Sequence, residues 1–452
     1  MEVQTVDEQD VSLPQVLLYL GVVGLFLAVV TLPVLFSVSY VRVLKTVLLV
    51  LILGMVGRLL LYSVFAFVSC QEPPAVPEST DLPLVSVVIP AYNEAEVLPD
   101  TIAACRALDY PAERLEVVLC YEADCDDETP AICERAAAEH PEFVAVERDE
   151  AGGGKAAAAN YGVEHATGEV IASIDADHQF EPDAVRRAVR WFHAEPETAC
   201  VKGRCYGRNP TDSIVALHAT VDRHINEKVD IYPREVFSGF TIFGGGQAFF
   251  RSTVFETYGG FDEDILIEDV DMSARMHRDG ERIRLDPGIV TYEEQPTTVS
   301  AWWNQRKRWA RGWMQVSVRH FKALVAGTRP SLTTKFDAAQ TFAYSLIPAF
   351  LVAGFPIPLI DLLSTRVTAY IPGSQMLWWS LGLFPALTAA FVFVQDYRDG
   401  LSHHPREYLA AITLGPYMLV NTLVYVVAFI DEFVLDRDAV YVTTTRAEDG
   451  DD

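Results

Sequence analysis

Long apolar stretches lie at both ends of the chain and frame a middle region with a different pattern. Two stretches near the start, about 13–36 and 43–68, are long enough to cross a bilayer, which requires about 20 apolar residues. Three more follow in the last third of the chain, at about 341–363, 376–395 and 407–430. Because residues 1–10 are acidic, the first stretch is not typical of a cleaved signal peptide. The pattern predicts five transmembrane helices, two before and three after the middle region.

In the middle region, short β-rich runs alternate with helical stretches. Residues 85–89, 115–119 and 170–174 have the composition of buried strands, and 131–139 is typical of a helix. This alternation predicts an α/β domain over residues 84–295, with a Rossmann-like and mostly parallel sheet. The proline-rich segment 71–83 predicts a linker in front of it.

The segment 296–335 combines tryptophans with arginines, which is typical of amphipathic helices at a membrane–water interface. It separates the predicted α/β domain from a predicted membrane region at 336–432. Residues 1–70 are predicted to form the N-terminal pair of spans, and residues 433–452 an acidic tail. Positive charge before the third span places the domain in the cytosol. Arg42 and Lys45, between the first two spans, argue mildly against that orientation.

Charge and cysteine content exclude some functions. The 452 residues carry a formal net charge of −27, so nucleic acid is not an expected partner. Acidic residues are spread through the chain and lysines are few, which favours a protein that works in high salt. The seven cysteines include no pair of CxxC motifs, so reduced thiols are expected rather than a zinc site or disulfides.

Polar motifs follow the predicted strands, where ligands bind in open parallel sheets. The first strand runs into Pro90-Ala91-Tyr92-Asn93-Glu94, and the second into an acidic loop that contains Glu122 and Asp124. Carboxylates in such a loop can accept hydrogen bonds from a base or ribose, or they can simply be solvated. The sequence does not decide whether Glu122 or Asp124 would make such a contact with a nucleotide base.

Two motifs indicate a site for a diphosphate. Gly152-Gly153-Gly154-Lys155 precedes a helix and brings backbone amides and a cation, although its spacing is not that of a P-loop. Asp175 and Asp177 leave the third strand two residues apart. Carboxylates beside a diphosphate require a cation between them, and hard oxygen ligands select Mg²⁺ or Mn²⁺.

Three later motifs supply candidates for catalysis and acceptor binding. The segment Phe243–Arg251, which contains Gly245 and Gln247, mixes glycines with aromatic rings that can stack on sugars. Glu268-Asp269 opens a predicted helix, where it is either a cap or a general base. Gln305, Arg308 and Trp309 fall on one face of the basic helix.

Taken together and in this order, the motifs resemble those of the inverting family-2 glycosyltransferases with the GT-A fold. Over residues 84–430 the membrane-embedded branch of cellulose, hyaluronan and poly-N-acetylglucosamine synthases is the most similar. The resemblance implies that Ala91, Tyr92 and Glu94 line the nucleotide pocket, with Lys155 and Asp175 near the diphosphate and Asp177 on the metal. It further implies that Asp269 is the catalytic base, and that Gln305, Arg308 and Trp309 close over diphosphate and acceptor.

The resemblance also implies a UDP-sugar donor and a growing polysaccharide acceptor that a processive enzyme exports. Transfer to a lipid acceptor is the alternative, because lipid glycosyltransferases share the motif at 305–309. A transporter with a nucleotide-binding domain is less favoured, since few charges fall within the predicted spans, Arg58 and Asp361 among them. A non-catalytic scaffold would be expected to have lost Asp175 or Asp269.

Overall fold

The computed structural model describes residues 13–67, 72–76, 81–149, 152, 154–244, 246–351, 369–374, 376 and 383–438. Two helices come first, α1 (Leu13–Thr31) and α2 (Val38–Phe65). The central domain contains the strands β1 (Val85–Ala91), β2 (Leu115–Glu122), β3 (Phe143–Arg148), β4 (Val170–Ile174), β5 (Gln179–Phe180), β6 (Thr198–Gly207), β7 (Gln247–Arg251) and β8 (Arg282–Glu293).

Helices of the central domain are α3 (Leu98–Arg106), α4 (Thr129–Glu139), α5 (Gly154–His165), α6 (Ala184–Ala194), α7 (Ile214–Ile225), α8 (Tyr232–Val236), α9 (Ser252–Tyr258) and α10 (Glu268–Asp279). The C-terminal helices are α11 (Val299–Ala326), α12 (Leu332–Leu351), α13 (Phe384–Arg398) and α14 (Pro405–Phe429). The strands predicted at 85–89, 115–119 and 170–174 are confirmed as β1, β2 and β4, and the predicted basic helix is confirmed as α11.

The strands form one sheet in the order β3-β2-β1-β4-β7-β6-β8-β5. Strands β1 and β2 are buried on both faces, as their continuous apolar runs require. Val87 and Ile89 pack with α3, α4 and α6 on one face. Val88 and Val118 pack with α5, α9 and α10 on the other. Gly162 lets α5 lie close to the sheet, because a Cβ there would be 2.6 Å from a methyl group of Val88.

The sheet is mixed rather than mostly parallel, and parallel pairs outnumber antiparallel ones only slightly. Pairs β1–β2, β2–β3, β1–β4 and β6–β8 are parallel, whereas β7 runs antiparallel to both β4 and β6, and β5 runs antiparallel to β8. β7 has this direction because parts of the segment between β6 and β7 line the edge of the sheet at which β4 ends. The chain therefore enters β7 from the edge that β4 leaves, with Gln247 opposite Ile174.

Two helices of the described residues have the length and the apolar composition needed to cross a bilayer. They are Val38–Phe65 and the helix Pro405–Val434, in which α14 continues into a short π-helical turn. A shorter apolar segment, Pro14–Val29, lies within α1. The stretches predicted at 341–363 and 376–395 lie partly outside the described residues, so the prediction of five spans stays a prediction.

Polar contacts join the flanking helices to the central domain and to one another. Arg58 of α2 contacts Asp230 at 2.7 Å, and the Tyr62 hydroxyl donates a hydrogen bond to Asp337 of α12. On the other side, Arg204 of β6 contacts Asp396 of α13 at 2.6 Å. Buried ion pairs fix geometry more than they add stability, because desolvation opposes their attraction. The contacts set the position of the apolar helices on the central domain.

Candidate active site

A cavity of about 1090 Å³ opens at the edge of the sheet where β1, β2 and β4 end. Most of the residues singled out in the sequence line it. They are Ala91, Tyr92, Glu94, Glu122, Asp124, Lys155, Asp175, Asp177, Glu268, Asp269, Gln305, Arg308 and Trp309. Ligands bind at this edge in α/β sheets generally. The structure thus places motifs from the central domain and from α11 on one cavity, while their individual roles stay predictions.

Gln247 lies away from the cavity. Its side chain is 2% exposed, and its carboxamide oxygen accepts a hydrogen bond from the backbone N–H of Gly203 at 3.1 Å. This contact joins β7 to β6 inside the sheet, which is a structural position rather than a place for an acceptor sugar. The other candidate of this motif, Gly245, lies outside the described residues.

Lys155 lies between two acidic residues of the cavity. Its Nζ is 2.6 Å from Oδ1 of Asp175 and 3.1 Å from Oε1 of Glu268. The side chains of Lys155 and Asp175 are about one quarter exposed, whereas that of Glu268 is 10% exposed. An ammonium group in this position offsets the repulsion between carboxylates and leaves a site that tolerates a diphosphate.

Gly246 makes room for Asp175. A Cβ at position 246 would lie 2.1 Å from the carboxylate of Asp175, which no rotamer change at 246 relieves. The backbone N–H of Asp175 also donates to the carbonyl of Gly246 at 2.9 Å. The pairing of β4 with β7 therefore positions Asp175 at the cavity.

Asp177 is held by a chain of buried polar groups. His178 Nδ1 is 2.9 Å from Asp177 Oδ1, and His178 Nε2 is 3.1 Å from Glu293 Oε2. Although burial would lower the pKa of His178, contacts with Cys205 and Asp177 raise it well above the usual value. Potential ligand atoms of Asp175, Asp177 and His178 lie within 4.8 Å of one another. The carboxylates of Asp175 and Asp177 fit Mg²⁺ or Mn²⁺ by donor type, with His178 in place to orient Asp177.

The acidic loop after β2 has one tethered carboxylate and one exposed one. Glu122 forms a two-pronged contact with Arg148 Nη1, at 3.1 and 2.9 Å, and Arg148 is 5% exposed. Asp124 is exposed and lines the cavity. Burial and the charges of Asp124 and Asp126 raise the pKa of the neighbouring Tyr92. Of the two alternatives, Asp124 has the carboxylate that is more accessible to a nucleotide.

Asp269 is in the first turn of α10, at the wall of the cavity opposite Gly244. A Cβ at position 244 would be in ordinary van der Waals contact with Asp269 Oδ2, at 3.8 Å, so Gly244 lies directly beside this carboxylate. Its other oxygen accepts a hydrogen bond from the N–H of Val270 at 2.7 Å. Further along α10, Asp271 contacts His320 of α11 at 2.7 Å. This contact ties the helix of Asp269 to the helix of the predicted acceptor residues.

Helix α11 begins at the cap Thr298, whose side chain accepts from the N–H of Ala301, and it presents Gln305, Arg308 and Trp309 to the cavity. Next to them, Arg306 contacts Asp222 of α7 at 3.0 Å and lies over the ring of Trp309, with 4.4 Å from Cζ to the centroid. These contacts hold Trp309 in place, since a cation over an aromatic face is attracted to it.

Sequence reasoning missed several lining residues. Asn421 and Tyr425, both on α14, line the cavity together with Trp309 and Trp313. No sequence signal in α14 distinguished them, apart from a single asparagine in an apolar run. His178 directly follows the Asp175-Ala176-Asp177 motif, so its position was an available signal.

Comparison with known proteins agrees with this geometry. Residues 83–312 match the family model described as glycosyltransferase like family 2, which is 230 of the 452 residues. The chain belongs to that family. It is therefore a glycosyltransferase that uses a nucleotide sugar, and the predicted GT-A-like α/β domain and the recognised family are confirmed.

Relatives of this glycosyltransferase include enzymes with different acceptors. It is 30% identical over 234 residues to a probable glycosyltransferase, YdaM, of Bacillus subtilis, covering 51% of this chain and 56% of the relative. It is 26% identical over 360 residues to a poly-beta-1,6-N-acetyl-D-glucosamine synthase of Staphylococcus epidermidis, covering 76% and 82%. A beta-monoglucosyldiacylglycerol synthase of Synechocystis is 28% identical over 238 residues, covering 52% and 48%. The match thus spans only about half of the first and third relatives.

Among solved structures, the glycosyltransferase is similar to a mannosyltransferase from Pyrobaculum calidifontis in complex with GDP-Man and Mn²⁺. The TM-score is 0.56 at 25% identity, and the match covers 85% of this chain and 99% of the neighbour. This likeness supports the GT-A-like fold over nearly the whole of that structure.

Proposed function

We propose that this glycosyltransferase works at a membrane and transfers a sugar with inversion from a nucleoside diphosphate to an acceptor hydroxyl. The observation that carries the proposal is the placement of Asp269 on one cavity with Lys155, Asp175 and Arg308. A base, a diphosphate site and a cation on a single cavity are what a single in-line displacement requires.

In the proposed reaction, the carboxylate of Asp269 takes the proton from the acceptor hydroxyl. The hydroxyl oxygen forms a bond to the anomeric carbon while the bond from that carbon to the diphosphate oxygen breaks, which inverts the configuration. Arg308 neutralises charge on the departing nucleoside diphosphate, as a guanidinium suits phosphate oxygens. Trp309, held by Arg306, packs against the acceptor sugar.

Asp177 and Asp175 would hold Mg²⁺ or Mn²⁺, with His178 beside them. When bound, such an ion screens the charge of the diphosphate and stabilises it as a leaving group. The Mn²⁺ described for the Pyrobaculum mannosyltransferase supports this assignment. The role of His178 in the chain is to orient Asp177, because its other ring nitrogen is occupied by Glu293.

For the acceptor, a growing polysaccharide with coupled export is favoured over a membrane lipid. The poly-N-acetylglucosamine synthase is matched over 82% of its length, whereas the glucosyldiacylglycerol synthase is matched over 48%. Asn421 and Tyr425 of α14 line the cavity, which supports an acceptor that meets a membrane helix in either case.

We further propose that the protein is a multi-pass membrane protein with its central domain in the cytosol. Helices α2 and Pro405–Val434 have suitable length and composition. Cytosolic placement follows from the basic segment that precedes α12 and from the cytosolic supply of nucleotide sugars.

Product analysis tests the acceptor. Membranes that contain the protein are incubated with labelled UDP-sugars and with GDP-mannose, at low and high KCl, and the product is sized and extracted with organic solvent. We expect a UDP-sugar to be consumed and the label to remain in a large, water-soluble product. Label that moves entirely into the organic phase supports the lipid acceptor, and use of GDP-mannose alone contradicts the UDP assignment.

Substitution of Asp269 tests the mechanism. Asp269→Asn should retain nucleotide binding and lose transfer by about 10²-fold or more, since removing a general base costs 10²–10⁴ in rate. Asp264→Asn, an exposed aspartate in the segment before α10, is the matched control. Transfer by Asp269→Asn at the rate of Asp264→Asn would show that the base is another group.

A further inference from the structure

A second cluster of ligand-type side chains lies between the central domain and the C-terminal helices. It consists of His224 at the end of α7, His403 just before α14, and Glu407 in the first turn of α14. His224 and Glu407 are each 3% exposed, and the His403 side chain is 4% exposed. None of the three lines the cavity of the candidate active site. The catalytic proposal therefore leaves this buried cluster unexplained.

One oxygen of Glu407 faces both imidazoles. Its Oε2 is 3.1 Å from Nε2 of His224 and 3.1 Å from Nδ1 of His403. Its Oε1 accepts the backbone N–H of His404 at 2.8 Å, in the capping box of α14. The cap fixes the carboxylate so that Oε2 is turned toward the histidines.

His403 is oriented as histidine ligands of metals usually are. Nε2 of His403 is 3.0 Å from Oδ2 of Asp396, and Asp396 is itself held by Arg204 at 2.6 Å. A carboxylate on the far nitrogen of a ligating imidazole selects the tautomer and the ring orientation. The Nδ1 atom of His224 is buried and has no hydrogen-bond partner among the described residues.

The spacing also fits a small tetrahedral ion. Ligand atoms at Zn–N or Zn–O distances of about 2.0–2.1 Å lie roughly 3.3 Å from one another in a tetrahedron. The two distances of 3.1 Å agree with this value, and the three potential ligand atoms all lie within 4.8 Å of one another. His₂Glu is a ligand set that zinc accepts, with a fourth position for water.

We propose that Nε2 of His224, Nδ1 of His403 and Oε2 of Glu407 form a zinc site that fastens α14 to the central domain. The site joins two ligands that are four residues apart at the start of α14 to one ligand on α7. Tyr206 packs against His224, with ring centroids 5.1 Å apart. Its hydroxyl is buried and lacks a partner within the described part of the chain.

A proton is the competitor of zinc at this cluster. Burial would lower the pKa of His403, but its hydrogen bonds to Asp396 and Glu407 raise it to about 9. Both carboxylates therefore favour a protonated His403 ring when no metal is bound. Zinc binding must displace a proton from His403, as metal sites with histidine ligands do in general.

Metal content of the full-length protein in detergent tests the proposal. The protein is loaded with Zn²⁺, passed through a desalting column in excess Mg²⁺ to exclude weak carboxylate sites, and analysed by mass spectrometry for zinc. We expect about one zinc per chain in the wild-type protein and in Asp177→Asn. Loss of this zinc is expected in His224→Gln, His403→Gln and Glu407→Gln, and retention in His193→Gln, an exposed histidine of α6.

A measurement on the wild-type protein alone keeps the test decisive if the variants do not fold. Co²⁺ bound at a four-coordinate site gives intense visible absorption, and we expect that spectrum after loading and its disappearance on addition of Zn²⁺. If the wild-type protein retains no zinc and shows no such spectrum, the proposal is overturned. The cluster is then a network of hydrogen bonds without a metal. Zinc retained by His403→Gln and Glu407→Gln also overturns it.

Discussion

Lys155 Nζ lies 3.1 Å from Glu268 Oε1, which links the start of α5 to the start of α10 across the cavity. The same ammonium contacts Asp175 at 2.6 Å, so one cation is shared by the two acidic motifs. In the proposed mechanism this cation offsets part of the repulsion between the carboxylates and the diphosphate of the donor.

Lys155→Met should therefore raise the KM for the nucleotide sugar by roughly tenfold or more, since charged hydrogen bonds contribute about 1.5–3 kcal/mol. The kinetics are measured beside Lys322→Met, an exposed lysine of α11. A KM equal to that of the control would show that Lys155 has no part in donor binding.

The acidic loop after β2 gives a prediction that separates its two candidates. Asp124→Ala should weaken UDP binding in calorimetry and leave the Tm unchanged, because Asp124 is exposed on the cavity. Glu122→Ala should instead destabilise the fold by on the order of 2 kcal/mol, because Arg148 is buried and loses its two-pronged contact. If Glu122→Ala loses UDP binding at an unchanged Tm while Asp124→Ala binds normally, the assignment is reversed.

Gln247 and Gln305 form a matched pair with opposite expectations. Gln247→Ala should lower the free energy of unfolding by about 1–3 kcal/mol, since the buried N–H of Gly203 loses its acceptor. Its KM for the acceptor should not change. Gln305→Ala, on the cavity, should show an altered acceptor KM and a nearly normal stability. Equal kinetic effects in both variants would place Gln247 in the acceptor site after all.

His277 of α10 predicts a dependence of stability on pH. Burial lowers its pKa from 6.5 to about 4, and in the folded protein Nε2 faces the carbonyl of Thr241 at 2.7 Å. The unfolded chain therefore binds a proton at a higher pH than the folded chain, so acid favours unfolding between about pH 6.5 and pH 4. The loss amounts to on the order of 3 kcal/mol and stops below both pKa values.

Denaturant unfolding at several pH values measures this effect. We expect His277→Gln to show a smaller fall in stability over that interval, whereas His193→Gln, an exposed histidine, should follow the wild-type protein. Identical slopes in all three proteins would mean that His277 titrates normally in the fold.

Local patterns in the sequence predicted β1, β2, β4 and α11, because each is decided by neighbouring residues. They also located the motifs of the cavity, since the ends of parallel strands meet at one edge. The reversed direction of β7 was not predictable, because it depends on where the long segment 208–246 runs. The meeting of His224 with His403 depends in the same way on packing between distant helices.

Gly246 limits how one wall of the cavity can change in this protein. The residue both opens the strand β7 and leaves the space that the Asp175 carboxylate occupies. A larger side chain at position 246 would disturb both the pairing of β4 with β7 and the proposed diphosphate site. A single substitution at this position is therefore expected to be poorly tolerated. Asp124, by contrast, lies in an exposed loop and not in a strand of the sheet. Substitutions in that loop are therefore expected to change the preference for the nucleotide base without moving the groups proposed to hold the diphosphate.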